Sequence, residues 1–90
     1  INVPGTKTRD IMLYALSTCG WCKKTRELLE ELGLEYDYEY VDHLVGEDRN
    51  RAVQVVTSWN PECTFPTLVI DSKHCITGYD EKQIRELAEA

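Results

Sequence analysis

The chain has 90 residues, a formal net charge of −6 and four cysteines, and this length fits one small domain. The acidic charge argues against binding to a nucleic-acid backbone, which requires a basic surface. No apolar run approaches the roughly 20 residues of a membrane span, and no basic start followed by an apolar segment suggests a signal peptide. We therefore expect a cytoplasmic monomer that binds neither nucleic acids nor membranes.

The first ten residues differ in character from the rest of the chain. They are polar and of mixed charge, and they contain the turn signal Pro4-Gly5, so residues 1–10 are predicted to form a flexible N-terminal arm. Residues 11–90 alternate strand and helix patterns and are predicted to form one domain.

The order of the predicted elements is β-α-β-α-β-β-α. Predicted strands cover residues 11–16, 35–41, 67–71 and 74–77, and predicted helices cover residues 23–32 and 46–59 and a segment after Asp80. The first strand is apolar at every position, which is typical of a central strand covered on both faces. A strand, a helix and a second strand of these lengths predict a right-handed unit with parallel strands, and Gly33 is expected to end its helix.

Two cysteines, in the segment Cys19-Gly20-Trp21-Cys22, separate the first predicted strand from the first predicted helix. Thiols at this spacing can close a small disulfide ring and open it again. Cys19 is expected at the N-terminal end of the helix, where free backbone N–H groups and the helix dipole stabilise a thiolate. A thiolate is the nucleophile of thiol–disulfide exchange. The alternatives for this pair are a structural disulfide and half of a metal site.

This order of elements resembles the thioredoxin fold, and three motifs resemble glutaredoxins and glutaredoxin-like redoxins. They are residues 14–22, where a strand enters the CxxC segment, residues 64–67 (Thr-Phe-Pro-Thr) and residues 77–80 (Thr-Gly-Tyr-Asp). The resemblance spans about residues 11–89. It implies an α/β thioredoxin fold with a four-stranded mixed sheet flanked by three helices.

The resemblance also implies roles for individual residues. Cys19 corresponds to the attacking nucleophile, Cys22 to the resolving thiol, and Trp21 shapes the surface beside them. Pro66 corresponds to the cis-proline of the family, and Phe65 to the residue whose backbone binds substrate as an added strand does. The alternative for Pro66 is a trans-proline that starts a strand.

The segment Gly78-Tyr79-Asp80 matches the turn that holds the γ-glutamyl end of glutathione in glutaredoxins, and plain helix capping by Asp80 is the alternative. Two stretches depart from the family pattern. Residues 15–17 and 60–63 offer no cation where glutaredoxins bind the glycine carboxylate of glutathione, and Glu62 has the opposite charge. We therefore predict weak or altered use of glutathione, because charge-assisted contacts are lost.

The resulting hypothesis is a small dithiol–disulfide oxidoreductase that reduces protein disulfides or mixed disulfides. Glutathione, another low-molecular-weight thiol or thioredoxin reductase would supply electrons, and no permanently bound cofactor or metal is expected. One alternative is a carrier of a [2Fe–2S] cluster, because some glutaredoxins with glycine at the position of Gly20 bind one between two subunits. Another is a zinc site made by all four cysteines. Cys63 and Cys75 are expected to lie too far apart for a disulfide.

Overall fold

The computed structural model describes residues 1–89, which form one mixed sheet with helices packed against it. The strands are β1 (Asn2–Val3), β2 (Ile11–Ala15), β3 (Tyr36–Tyr40), β4 (Thr67–Ile70) and β5 (His74–Thr77). The helices are α1 (Gly20–Glu31), α2 (Gly46–Trp59) and α3 (Glu81–Glu86), and a 3₁₀ turn covers Val41–His43. In this described part of the chain, no helix has the length and apolar character needed to cross a membrane.

The strands are arranged in the order β1-β3-β2-β4-β5. Strands β2 and β3 pair in parallel and the other neighbours pair antiparallel. The predicted parallel unit built by β2, α1 and β3 is therefore confirmed, as is the thioredoxin fold. The central strand β2 buries Leu13 and Ala15 completely.

The prediction of four strands is wrong, because the segment expected to be a flexible arm contributes the fifth strand, β1. Thr6 binds this segment to the loop between α1 and β3 through two backbone hydrogen bonds. The Thr6 N–H donates to the Gly33 carbonyl (2.8 Å), and the Thr6 carbonyl accepts from the Glu35 N–H (2.9 Å). Gly5 is needed for this approach, since a Cβ there would lie 2.7 Å from the Gly33 carbonyl oxygen. A two-residue strand is too short to produce a hydrophobic period, so the sequence did not reveal it.

Successive side chains of β2 point to opposite faces of the sheet. Each face therefore presents side chains of β2 to a helix. Leu13 packs in the main core with Leu29 from α1 and Ile84 from α3. Tyr14 points to the other face, where it shares a groove with Val55 of α2. Helix α1 ends as predicted, with Gly33 in the left-handed region at φ +69°.

Candidate active site

The three motifs that carry the resemblance meet at one end of the sheet. In the strand register Tyr14, near the end of β2, lies opposite Thr67 at the start of β4. Thr67 in turn lies opposite Thr77 at the end of β5. The CxxC segment, the Phe65-Pro66 segment and the turn at Gly78 therefore leave the sheet side by side.

Cys19 is the N-cap residue of α1, as predicted. Its backbone is extended, and its Sγ accepts a hydrogen bond from the Cys22 N–H at 3.2 Å. Cys19 is partly exposed and Cys22 is only 1% exposed. Both thiols are free. A disulfide substrate can therefore reach Cys19 but not Cys22.

Burial raises the pKa of the Cys22 thiol from 9.0 to about 12, and the hydrogen bond with Cys19 and the negative charge of Asp42 act in the same direction. Cys22 is therefore a neutral thiol at physiological pH. Cys22 is therefore unsuited to attack a substrate, since an attacking thiol must be both accessible and able to ionise.

A groove of about 260 Å³ opens beside the CxxC segment. Its lining consists of Trp21, Phe65, Pro66, Gly78 and Tyr79, all of which were predicted site residues. The Phe65-Pro66 peptide bond is cis, as the resemblance implied. The Gly78 N–H donates to the Pro66 carbonyl at 2.8 Å and so fixes one side of the groove against the other.

Asp80 acts as the N-cap of α3. Its carboxylate accepts hydrogen bonds from the Gln83 backbone N–H (3.1 Å) and the Gln83 side-chain amide (2.6 Å). These hydrogen bonds lower the pKa of the Asp80 carboxyl. The capping alternative is therefore confirmed, and contact of Asp80 with a bound thiol stays a prediction.

Asn60 supports the cis-proline segment and was not among the predicted site residues. Its side chain is buried, and its amide donates to the Thr64 hydroxyl (2.8 Å) and the Thr67 hydroxyl (3.3 Å). Its side-chain oxygen accepts from the Glu62 N–H at 3.3 Å. Partners separated by irregular chain produce no periodic pattern, so the sequence held no signal for this role.

A second missed contact joins Asp42, in the 3₁₀ turn after β3, to Ser17, two residues before Cys19. One carboxylate oxygen of Asp42 accepts from the Ser17 N–H at 2.9 Å, and the other accepts from the Ser17 hydroxyl. These bonds lower the pKa of the Asp42 carboxyl, so Asp42 is charged at neutral pH.

The remaining two cysteines lie outside the groove lining. Cys75 donates its S–H to the Trp59 carbonyl at 3.2 Å, and Cys63 occupies a turn with φ +50°. All four cysteines are free, and among residues 1–89 no group of three or more His, Cys, Asp or Glu side chains is placed to hold a metal ion. The [2Fe–2S] alternative needs a second subunit and stays a prediction.

The sheet carries a CxxC pair at the start of a helix, next to a cis-proline. These features together define a redoxin of the thioredoxin fold. Residues 11–75 match the glutaredoxin family model. The chain is also 36% identical over 72 residues to "Glutaredoxin 1" of Rickettsia bellii (strain RML369-C), a match that covers 79% of this chain and 70% of the relative. The chain therefore belongs to the glutaredoxin family, whose members are generally thiol–disulfide oxidoreductases.

Solved structures are similar over nearly the whole chain. The glutaredoxin of Methanosarcina mazei Go1 is 43% identical with a TM-score of 0.92, and the match covers 100% of this chain and 87% of that one. The methanoredoxin of Methanosarcina acetivorans is 42% identical with a TM-score of 0.91, and the match covers 96% of this chain and 90% of that one.

Proposed function

We propose that this protein is a dithiol–disulfide oxidoreductase that reduces protein disulfides or mixed disulfides through Cys19 and Cys22. The observation that carries the proposal is that both cysteines lie in the first turn of α1, where the partly exposed Cys19 Sγ accepts the backbone N–H of the buried Cys22 at 3.2 Å. Cys19 can meet a substrate, and the CxxC spacing allows Cys22 to complete the exchange.

The exchange transfers two electrons in two steps. The Cys19 thiolate attacks one sulfur of the substrate disulfide, forms a mixed disulfide with it and expels the other sulfur as a thiolate. Cys22 then loses its proton to solvent and attacks the Cys19 Sγ, which releases the second substrate thiolate and leaves a Cys19–Cys22 disulfide. An external dithiol, a pair of low-molecular-weight thiols or thioredoxin reductase would reduce that disulfide again.

The groove lining supports a polypeptide substrate rather than glutathione. Its walls are the rings of Trp21, Phe65 and Tyr79, with Pro66 and Gly78 between them, and no lysine or arginine is among these lining residues. Glutathione carries two carboxylates, and each lost charge-assisted hydrogen bond costs about 1.5–3 kcal/mol. An apolar side chain next to a substrate cysteine would instead gain from burial between aromatic rings.

Reduction of a peptide disulfide, with dithiothreitol as the final reductant, tests the proposal. Cys19→Ser should lower catalysed turnover at least about a hundredfold, because no other accessible thiol caps the helix. Without dithiothreitol, pre-reduced Cys22→Ser should accumulate a mixed disulfide on Cys19, which mass spectrometry detects. Cys63→Ser is the matched control and should stay within about twofold of the unmodified protein. Catalysis that survives in Cys19→Ser, or that is lost in Cys63→Ser, would contradict the proposal.

A further inference from the structure

We propose that the loop after β3 forms a second docking surface for polypeptide substrates, an inference that rests on the reductase function proposed above. This loop surface consists of Leu44, Val45 and the groove that Leu44 helps to line. It binds an apolar side chain of the substrate that has a lysine or arginine beside it, while the substrate cysteine reacts at Cys19.

The topology of the sheet places this loop next to the CxxC segment. Strands β2 and β3 are parallel neighbours with Ala15 opposite Tyr40, so both chains leave the sheet at the same end. The Asp42 carboxylate joins the two exits, because it accepts the N–H and the hydroxyl of Ser17. Strand β4, which follows Pro66, lies on the other side of β2. The loop after β3 and the groove at Pro66 therefore flank the CxxC segment.

Val45 is the N-cap residue of α2, and neither capping nor packing explains a valine there. Its side chain makes no capping hydrogen bond, and valine is among the poorest N-cap residues. Val45 is also 79% exposed, and among residues 1–89 only Ile1 and Trp21 are other large apolar residues with high exposure. Trp21 belongs to the groove beside Cys19. A position that breaks a local folding rule is typical of a binding surface.

A groove of about 320 Å³ lies beside Leu44, on the face of the sheet that α2 covers. Its apolar walls come from Tyr14 of β2, from Leu44 and from Ala52 and Val55 of α2. This space is large enough for an apolar side chain, whose burial removes apolar surface of both partners from water. Val45 follows Leu44 directly and extends the apolar surface beyond the groove.

The charges around the loop surface define the partner further. Residues 39–51 contain four carboxylates and two arginines, and Glu39, Asp48 and Arg51 line the groove. In the described part of the chain, none of these charged side chains forms an ion pair. A lysine or arginine of the substrate therefore meets an excess of unpaired negative charge, which is favourable at the edge of an interface.

Val45→Ser tests the apolar contact, with a lysine-containing peptide disulfide as substrate and hydroxyethyl disulfide, which is too small to reach the loop surface, as the reference. The KM for the peptide should rise about threefold to tenfold relative to that for the reference, because burial of the valine is lost. Serine is a favourable N-cap, so the variant should unfold at the same or a higher urea concentration. This separates lost binding from a damaged fold.

Ile1→Ser is the matched control for Val45→Ser. Ile1 is 70% exposed, and its backbone pairs with Tyr38 in the middle of β3. The same loss of an exposed apolar side chain at this place should leave the KM ratio within about 1.5-fold of the unmodified protein.

A second peptide, with glutamate in place of the lysine, tests the charge. At low ionic strength the lysine peptide should have a kcat/KM about threefold higher, and the difference should vanish near 1 M salt, where the Debye length is about 3 Å. Asp48→Asn should reduce this preference. Glu86→Gln, which makes the same change in net charge at an exposed position of α3, should keep it.

Binding without thiol exchange is measured by titration with the lysine peptide in which serine replaces cysteine. The NMR amide signals of residues 44–48 should shift, and shifts without reduction of any disulfide would reject only the proposed function. Unshifted signals would overturn the inference, as would equal KM ratios for Val45→Ser and Ile1→Ser or an equal lysine preference for Asp48→Asn and Glu86→Gln. A dimer of the unmodified protein that Val45→Ser converts to a monomer would overturn it too, because the surface would then bind a second copy of the chain.

Discussion

The indole ring of Trp21 stacks on the phenol ring of Tyr79, with centroids 5.5 Å apart and 28° between the ring planes. Trp21 lies inside the CxxC segment, and Tyr79 lies in the turn before α3. The stack therefore joins two segments that are far apart in sequence and forms one wall of the groove. Trp21 is 58% exposed, so this wall is available to a substrate.

Removal of the Tyr79 ring should weaken substrate binding more than it slows the exchange. An aromatic pair contributes about 0.5–1.5 kcal/mol beyond its buried area, so Tyr79→Ala should raise the KM for a peptide disulfide about twofold to tenfold. Its kcat should change less, because Tyr79 lines the groove and takes no part in the thiol exchange itself. Tyr79→Phe, which keeps the stack, should behave as the unmodified protein in the same steady-state assay. A fall in kcat at unchanged KM would contradict this role.

Asn60 should matter for both stability and binding. Asn60→Ala leaves the buried Thr67 hydroxyl without one partner and frees the segment before Pro66, so we expect a loss of about 1–3 kcal/mol in the free energy of unfolding. Urea denaturation of the reduced protein measures this. The KM for a peptide disulfide should rise as well, since the Phe65-Pro66 wall is no longer held in place. Gln54→Ala, on the exposed side of α2, is the control, and an equal loss there would contradict the assignment.

Arg26 holds α1 against β3. Its guanidinium donates to the hydroxyls of Tyr36 (3.1 Å) and Tyr40 (2.8 Å) and lies 3.9 Å from the centroid of the Tyr38 ring. Arg26→Ala should therefore cost about 2 kcal/mol in unfolding free energy. Its exposed neighbour Glu27, changed to alanine, should cost less than about 0.5 kcal/mol. If the two variants unfold at the same urea concentration, the contacts of Arg26 with the three tyrosines do not stabilise the fold.

Stability at high pH should depend on Cys22. The pKa of its thiol is raised from 9.0 to about 12 by burial in the folded protein, so the unfolded chain loses this proton first as the pH rises. The folded state therefore gains stability from the protonated Cys22 thiol. This gain is complete below pH 9 and is lost between about pH 9 and 12. Urea midpoints of the reduced protein should therefore fall more steeply over this range than those of Cys22→Ser.

Tyr36 provides the internal control for that comparison. Burial raises the pKa of its hydroxyl to about 12 as well, but it titrates in both proteins, and the difference between them isolates Cys22. Parallel pH profiles for the two proteins would show that Cys22 is not protected from ionisation in the folded state.

Sequence reasoning identified most of the elements, because their signals are local. Residues a few positions apart are enough to predict the β-branched strand β4, the end of α1 at Gly33 and the N-cap of α3 at Asp80. The two-residue strand β1 escaped notice because it is too short for a period and pairs with β3, which is distant in the chain, so that no local pattern encodes it. Asn60 was missed for a different reason: its partners Glu62, Thr64 and Thr67 are near in the chain but follow no helix or strand period.

The sequence by itself determined that two thiols sit at the start of a helix after a buried strand, since this follows from spacing and hydrophobic pattern alone. Only the tertiary structure decided how the two thiols differ and what surrounds them. Burial of Cys22 and the approach of Asp42 to Ser17 depend on the pairing of β2 with β3, and the Trp21–Tyr79 stack depends on the return of the chain along β5. Burial and electrostatic fields are sums over residues distant in the chain, so they exist only once the sheet has formed.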